Sequence, residues 1–264
     1  MKYGFIGAGN MGGALANALV KKISPSDVML YDKDCIKAQN LAESLGCVCK
    51  DLKALLKECD VIFLGVKPQN LADLAEEIKG DIDAREVKPV IVSMLAGVEI
   101  KKLTSLLGEC PVIRIMPNIP VSVGGGMILL SKNELVCEKV LSSFISDMEL
   151  SGEIDVIDEK LIDCASAVSG CGPAFVSLFI EALADGGVRA GLPRDKAVFY
   201  ASQTLLGTAL LVKDGLHPAV LKDRVCSPGG TTIAGVEALE QGAFRSTVIN
   251  AVTSAYEKTL KIGK

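Results

Sequence analysis

Short apolar runs alternate with helical patterns through the first 160 residues of the chain. The strand candidates are YGFIG (3–7), DVMLYD (27–32), CVC (47–49), DVIFLGV (60–66), PVIVSM (89–94), PVIRIM (111–116) and GGMILLS (125–131). Between them the apolar positions fall at helical spacing. They do so in MGGALANALVKK (11–22), where Met11, Leu15, Ala18 and Leu19 share a face, and in IKAQNLAESLG (36–46), which Gly46 closes. LKALLKE (52–58), LADLAEEIKG (71–80) and VEIKKLTSLLG (98–108) follow the same rule. Such alternation predicts right-handed crossovers and a mostly parallel sheet with helices on both faces.

From about residue 160 the alternation stops. Residues 173–191, 194–215, 217–225, 233–242 and 244–264 all predict helices. Ala174 to Ala184 is apolar almost all round, so this helix must be buried on several sides. A hundred or so helical residues cannot hide that surface alone, and a dimer through this half is expected.

Composition narrows the partners. The chain has 264 residues, 49% of them hydrophobic, and a net charge of −4. No basic stripe interleaves with aromatics, so nucleic acid is not expected as a partner. Nine cysteines without a Cys-x-x-Cys pair and one histidine, His217, assemble no zinc cluster. No metal is expected, and the thiols suit a reducing compartment. The N-terminal stretch has no apolar core of signal-peptide type, and the longest uncharged stretch, Cys164 to Ile180, reads as too short to span a bilayer. A cytoplasmic protein with no membrane partner is expected.

The glycine pattern Gly7-x-Gly9-x-x-Gly12 follows a strand and opens a helix, the context in which it binds a dinucleotide. Gly7 permits the turn, Gly9 lets the backbone approach a pyrophosphate, and Gly12 lets the helix lie close to the strand. Ile6, Gly7, Ala8, Gly9, Asn10, Met11 and Gly12 are therefore candidate cofactor contacts. Asp32, twenty residues past Gly12 at the end of the second strand candidate, suits the ribose hydroxyls and leans to NADH, while Lys33 would meet a 2′-phosphate. The fold class expected is α/β: a Rossmann-type dinucleotide-binding domain (1–160) followed by an all-α dimerisation and substrate-binding domain (161–264).

The second half restricts the chemistry. His217 precedes Pro218 between two helices and reads as a turn or cap residue rather than a proton carrier for alcohol oxidation. The helix GPAFVSLFIEALADGGVRAG has no lysine for that task either. An imine reduction has less need of such a group, because an iminium arrives already protonated. Positioning alone supplies on the order of 7–11 kcal/mol in favourable cases.

VSGCGPAF (168–175), ALADGGVRAGLPRDKA (182–197), HPAVLKDRVCSPGGTTIAGVEALE (217–240) and GAFRSTVINAV (242–252) resemble the pyrroline-5-carboxylate reductases, which make L-proline. FIGAGNMG, VKPQ (66–69) and RIMPNIP (114–120) resemble the same family. The resemblance implies reduction of L-1-pyrroline-5-carboxylate by NADPH or NADH, and a homodimer, in some members a decamer. It also implies that Val66, Lys67 and Pro68, with Met116, Pro117 and Asn118, lie beside the cofactor. It puts the substrate carboxylate on Ser227, Gly229, Gly230, Thr231 and Thr232, with the Thr232 hydroxyl as the catalytic contact to the ring nitrogen. Ile119 departs from the family pattern, which has threonine there. Two alternatives stay open: a related imine or 3-hydroxyacid oxidoreductase, and a catalytically silent homologue that senses nucleotide.

Overall fold

The computed structural model describes residues 1–262. Eight strands form one sheet: β1 (Tyr3–Ile6), β2 (Val28–Tyr31), β3 (Val48–Cys49), β4 (Val61–Leu64), β5 (Val90–Ser93), β6 (Val112–Met116), β7 (Gly126–Lys132) and β8 (Gly152–Val156). Their order is β3-β2-β1-β4-β5-β6-β7-β8. Every neighbouring pair is parallel except β6 and β7. The order reverses at β1, which lies between β2 and β4, and that reversal opens a crevice at the carboxyl ends of these strands.

Both faces of the sheet are covered, which is why its central strands read as unbroken apolar runs. On one face Phe5, Phe63, Val92 and Ile113 pack with Leu15 and Leu19 of helix α1 (Asn10–Leu19). On the other, Ile62, Leu64, Ile91 and Val112 meet a second row of helices. That row is α3 (Leu52–Glu58), α4 (Leu71–Asp83) and α5 (Ile100–Leu107), which follow α2 (Cys35–Leu45) in the chain. At the centre of the first face the rings of Phe5 and Phe63 stack at 4.3 Å, and Phe144 lies 5.9 Å from Phe63. The Tyr3 hydroxyl beside them donates to Asp147 at 2.5 Å. Burial first, and the Asp147 carboxylate second, hold that phenol well above its ordinary pKa.

Three elements escape the sequence pattern: the helix after β7, the edge strand β8 and the helix that follows it. Helix α6 (Glu138–Asp147) follows β7 and buries Leu141 and Phe144, three apart, against the sheet. Strand β8, GEIDV, forms the sheet edge. It is largely exposed and carries two acids, so no apolar run marks it. Helix α7 (Glu159–Ser169) then seats Ile162 on Met116 and Leu129.

The chain divides into two compact units, residues 1–171 with those from Ala255 onward, and Gly172–Ser254. The expected boundary at residue 160 falls at the head of α7, whereas the contact boundary falls at its far end. The second unit holds α8 (Gly172–Arg189), α9 (Arg194–Lys213), α10 (Pro218–Val225), α11 (Thr231–Gln241) and the first turns of α12 (Phe244–Ile262). Residues 263 and 264, expected to continue the last helix, lie outside the described residues.

Helices α8 and α9 pack through small side chains, Ala184 against Ala197 and Ala201. Larger apolar residues point outward: Leu178 is 65% exposed, Phe199 63% and Ile249 64%. The helical run Glu159–Arg189 is long and apolar enough, by length and composition alone, to cross a membrane. The uncharged stretch expected to be too short ends at Ile180, but helix continues to Arg189, and only a turn at Gly170–Cys171 interrupts the run.

Phe63→Ala removes the ring that Tyr3, Phe5 and Phe144 surround. It should cost about 3–5 kcal/mol in stability, read as a lowered midpoint in denaturant titration.

Candidate active site

The glycine loop is shaped by backbone crowding. Gly7 has φ 110°, and a Cβ there would stand 2.6 Å from the Gly65 carbonyl oxygen. A Cβ on Gly12 would stand 2.5 Å from the Gly7 oxygen, so α1 starts directly against the strand end. At Gly9 nothing lies within 4 Å of a built Cβ. Gly9 is also the N-cap of α1, and no side chain among the described residues caps this end. The leading N–H groups of Asn10, Met11 and Gly12 thus keep their donors for an anion. The cradle fits the pyrophosphate of a dinucleotide.

Asp32 stands beside this loop. One carboxylate oxygen accepts from the Ala8 N–H at 2.8 Å and the other from the Asp34 N–H at 3.0 Å. Asp34 in turn caps α2, accepting from the Lys37 N–H at 3.2 Å. Lys33 is exposed.

After β4, Val66 packs beside the second core cluster, and Lys67 opens a short 3-10 turn, Pro68–Asn70. Pro68 takes the first position, where its missing N–H costs nothing. A cavity of about 790 Å³ opens here, lined by Gln69, Gly97, Lys102, Asp163 and Thr259 among others.

Met116 ends β6 in the small cluster with Leu129 and Ile162. Asn118, two residues on, is buried, and its amide is engaged at both ends. Its Nδ2 donates to the Ser169 carbonyl at 2.9 Å, and its Oδ1 accepts from the Met127 N–H at 2.9 Å. The Asn118 side chain therefore ties the end of α7 to the start of β7. Ile119, on the following turn, is 71% exposed.

Arg114 was missed by sequence reasoning. Its side chain is 1% exposed, with Nη1 3.3 Å from Glu159 and Nη2 2.6 Å from Asp163. Glu159 also accepts from the Ile100 N–H at 2.7 Å, at the first turn of α5. The signal was a lone arginine inside PVIRIM and two acids spaced i, i+4 in DEKLID.

In the second unit Ser227–Gly230 forms a tight turn. The Gly230 N–H donates to the Ser227 carbonyl at 3.0 Å. Pro228 takes the second position, and Gly229 has φ 67° at the third, the features of a type II turn. Gly230 is the N-cap of α11, again with no side-chain cap among the described residues. Thr231 is exposed and Thr232 half-buried on the first turn. Their N–H groups are free of a cap, and the Thr232 hydroxyl stands one residue inside the helix. His217 caps α10 by accepting from the Ala219 N–H at 3.2 Å.

Among the described residues no group of His, Cys, Asp or Glu could hold a metal ion. Burial pushes the Cys59 thiol up to about 12 and the Cys110 thiol up to about 11, so neither is a ready nucleophile.

A doubly wound sheet with an uncapped glycine loop at its reversal point defines a dinucleotide-binding protein of Rossmann type. Residues 159–262 match the family model for pyrroline-5-carboxylate reductase dimerisation, and residues 2–97 that for NADP oxidoreductase, coenzyme F420-dependent. The pyrroline-5-carboxylate reductase of Arabidopsis thaliana is 39% identical over 267 residues, covering 100% of this chain and 96% of that protein. That of Escherichia coli K12 is 37% identical, covering 100% and 98%. A pyrroline carboxylate reductase of Plasmodium falciparum, solved with NADP bound, aligns with a TM-score of 0.89 at 33% identity, covering 100% and 98%. This chain belongs to the pyrroline-5-carboxylate reductase family.

Asn118→Ala leaves the Ser169 carbonyl and the Met127 N–H without their partner. The loss should be about 1–3 kcal/mol, seen as faster amide exchange at Met127 and a lowered thermal midpoint.

Proposed function

We propose that this chain reduces L-1-pyrroline-5-carboxylate to L-proline with NADH or NADPH. The observation that carries this reading is family membership along the whole chain, with both glycine turns complete. Reduced nicotinamide, when bound, supplies a hydride to the C=N carbon, and the ring nitrogen carries the proton it brought from solution.

The protein's task is to hold two anions in the right places. Ile6 to Gly12 receive the pyrophosphate at the uncapped start of α1. Val66, Lys67, Pro68, Met116 and Asn118 border the rest of the cofactor. The side chain of Asn118 contributes by shaping this border, because its amide is engaged within the protein.

The N–H groups of Thr231 and Thr232 receive the substrate carboxylate, with Ser227, Gly229 and Gly230 forming the turn that brings it there, since the Gly230 N–H already closes that turn on the Ser227 carbonyl. A helix start of this kind adds about 0.3–1 kcal/mol where exposed, so it orients the substrate more than it grips it. Thr232, with Gly230 already serving as N-cap, keeps its hydroxyl for the ring nitrogen.

In this reading residues 1–160 carry the cofactor, and residues 161–264 carry dimerisation and substrate. The outward apolar side chains of α8, α9 and α12 support a homodimer through these helices, which would cover the run Glu159–Arg189 with protein rather than lipid. A decamer and a cytoplasmic location follow from the family resemblance.

Purified protein mixed with pyrroline-5-carboxylate should consume reduced nicotinamide and yield proline. Absence of turnover beside intact nucleotide binding would overturn the reading. Thr232→Ala should lower kcat/KM by about tenfold or more, or roughly 1.4 kcal/mol. Kinetics unchanged from the parent would remove Thr232 from the mechanism.

A further inference from the structure

We infer that this chain selects NADH over NADPH, and that Asp32 and Asp34 together make the selection. The inference rests on the reading that the glycine loop holds a nicotinamide dinucleotide.

The two cofactors differ at one place, a ribose hydroxyl against a phosphate. A hydroxyl donates a hydrogen bond, whereas a phosphate dianion only accepts. The group that meets this position therefore decides the preference, and here it follows β2. Asp32 is the first residue past that strand, and both its oxygens are fixed by backbone donors, Ala8 at 2.8 Å and Asp34 at 3.0 Å. Each oxygen retains a further lone pair for a donor. A ribose diol supplies such donors. A phosphate instead brings like charge against a carboxylate that cannot turn away without releasing the Ala8 N–H of the glycine loop.

A phosphate would also need donors of its own. The backbone N–H groups next along the chain lie at the start of α2, and two are already occupied. Asp32 holds that of Asp34, and Asp34 holds that of Lys37. The helix start that elsewhere receives an anion carries its own carboxylate here. The basic groups nearby are Lys33 and Lys37, both exposed. No arginine stands between residues 28 and 40 to offer a planar, two-pronged grip. A lysine on a flexible stem must give up rotamer freedom to replace that grip, and salt weakens it.

The experiment is calorimetric titration of the intact protein with each cofactor in the absence of substrate. It is paired with kcat/KM for each cofactor with pyrroline-5-carboxylate. NADH should bind tighter than NADPH by about tenfold or more. Asp32→Ser should narrow that ratio at least several-fold, chiefly by tightening NADPH. Asp34→Ser, which keeps a capping hydroxyl, should move the ratio the same way by less. Circular dichroism of both variants establishes that they are folded.

Equal binding of the two cofactors by the parent, or tighter NADPH, overturns the inference. So does an unmoved ratio in folded Asp32→Ser. Tighter NADH without turnover of pyrroline-5-carboxylate would sustain the inference and sink the proposed reaction. Turnover that favours NADPH would do the reverse, and binding of neither cofactor would remove both.

Discussion

Three backbone segments meet at the reversal point of the sheet, and the rest of the cofactor half is arranged around their closeness. The turn at Gly7, the first turn of α1 at Gly12 and the end of β4 at Gly65 leave no room for a Cβ at Gly7 or Gly12. A Cβ at Gly65 would press within 3.1 Å of the Gly7 oxygen. That contact aims the start of α1 outward from the strand ends and leaves its amides uncapped. It also presents the Ala8 N–H to Asp32, so the loop and the acid after β2 are one rigid piece. The start of α1 stays open to an anion because the strand ends beneath it leave the helix no other approach.

The strand β6 makes the next connection. Arg114 and Asn118, four residues apart on one segment, hold α7 at both ends, the first through Glu159 and Asp163 and the second through Ser169. A buried arginine is weak evidence for stability, since desolvation offsets most of the attraction. Its Nε has no partner among the described residues, which adds to that cost. What the arrangement does secure is register. The guanidinium between two acids adds a directional contact to the apolar seat of Ile162 and the Asn118 bond, which together fix α7 on the sheet. Glu159 extends the same constraint to α5 through the Ile100 N–H.

The helical unit obeys a different constraint. Its interior is made of alanines, and its large apolar side chains lie outside. The groove lined by Phe175, Phe179, Leu183, Phe244 and Val248 holds about 790 Å³. A unit with so small an interior does not hold its shape by burial within itself. The match to a dimerisation family agrees with a second copy of the chain as the missing half.

How far the sequence carries is set by which signals are local. The parallel strands are legible because both their faces are buried, so DVIFLGV and PVIVSM admit no other reading. Strand β8 is not, because an exposed edge strand with acids resembles a loop. Helix α6 was visible in principle, since Leu141 and Phe144 lie at helical spacing. The glycine loop and the turn before α11 are legible as backbone requirements, each needing residues that only a tight turn explains. Asp32 could be placed from its spacing, but its two backbone donors could not, because Ala8 lies 24 residues away. The same holds for Asn118: a motif suggests proximity to a cofactor, and only the fold shows its amide already engaged by Ser169, 51 residues on. A polar residue in a motif is therefore a contact with the ligand only where the protein leaves its hydrogen bonds unfilled. By that criterion the start of α11 is better placed than Asn118, since its N-cap has no side chain and the turn before it uses only the Gly230 N–H.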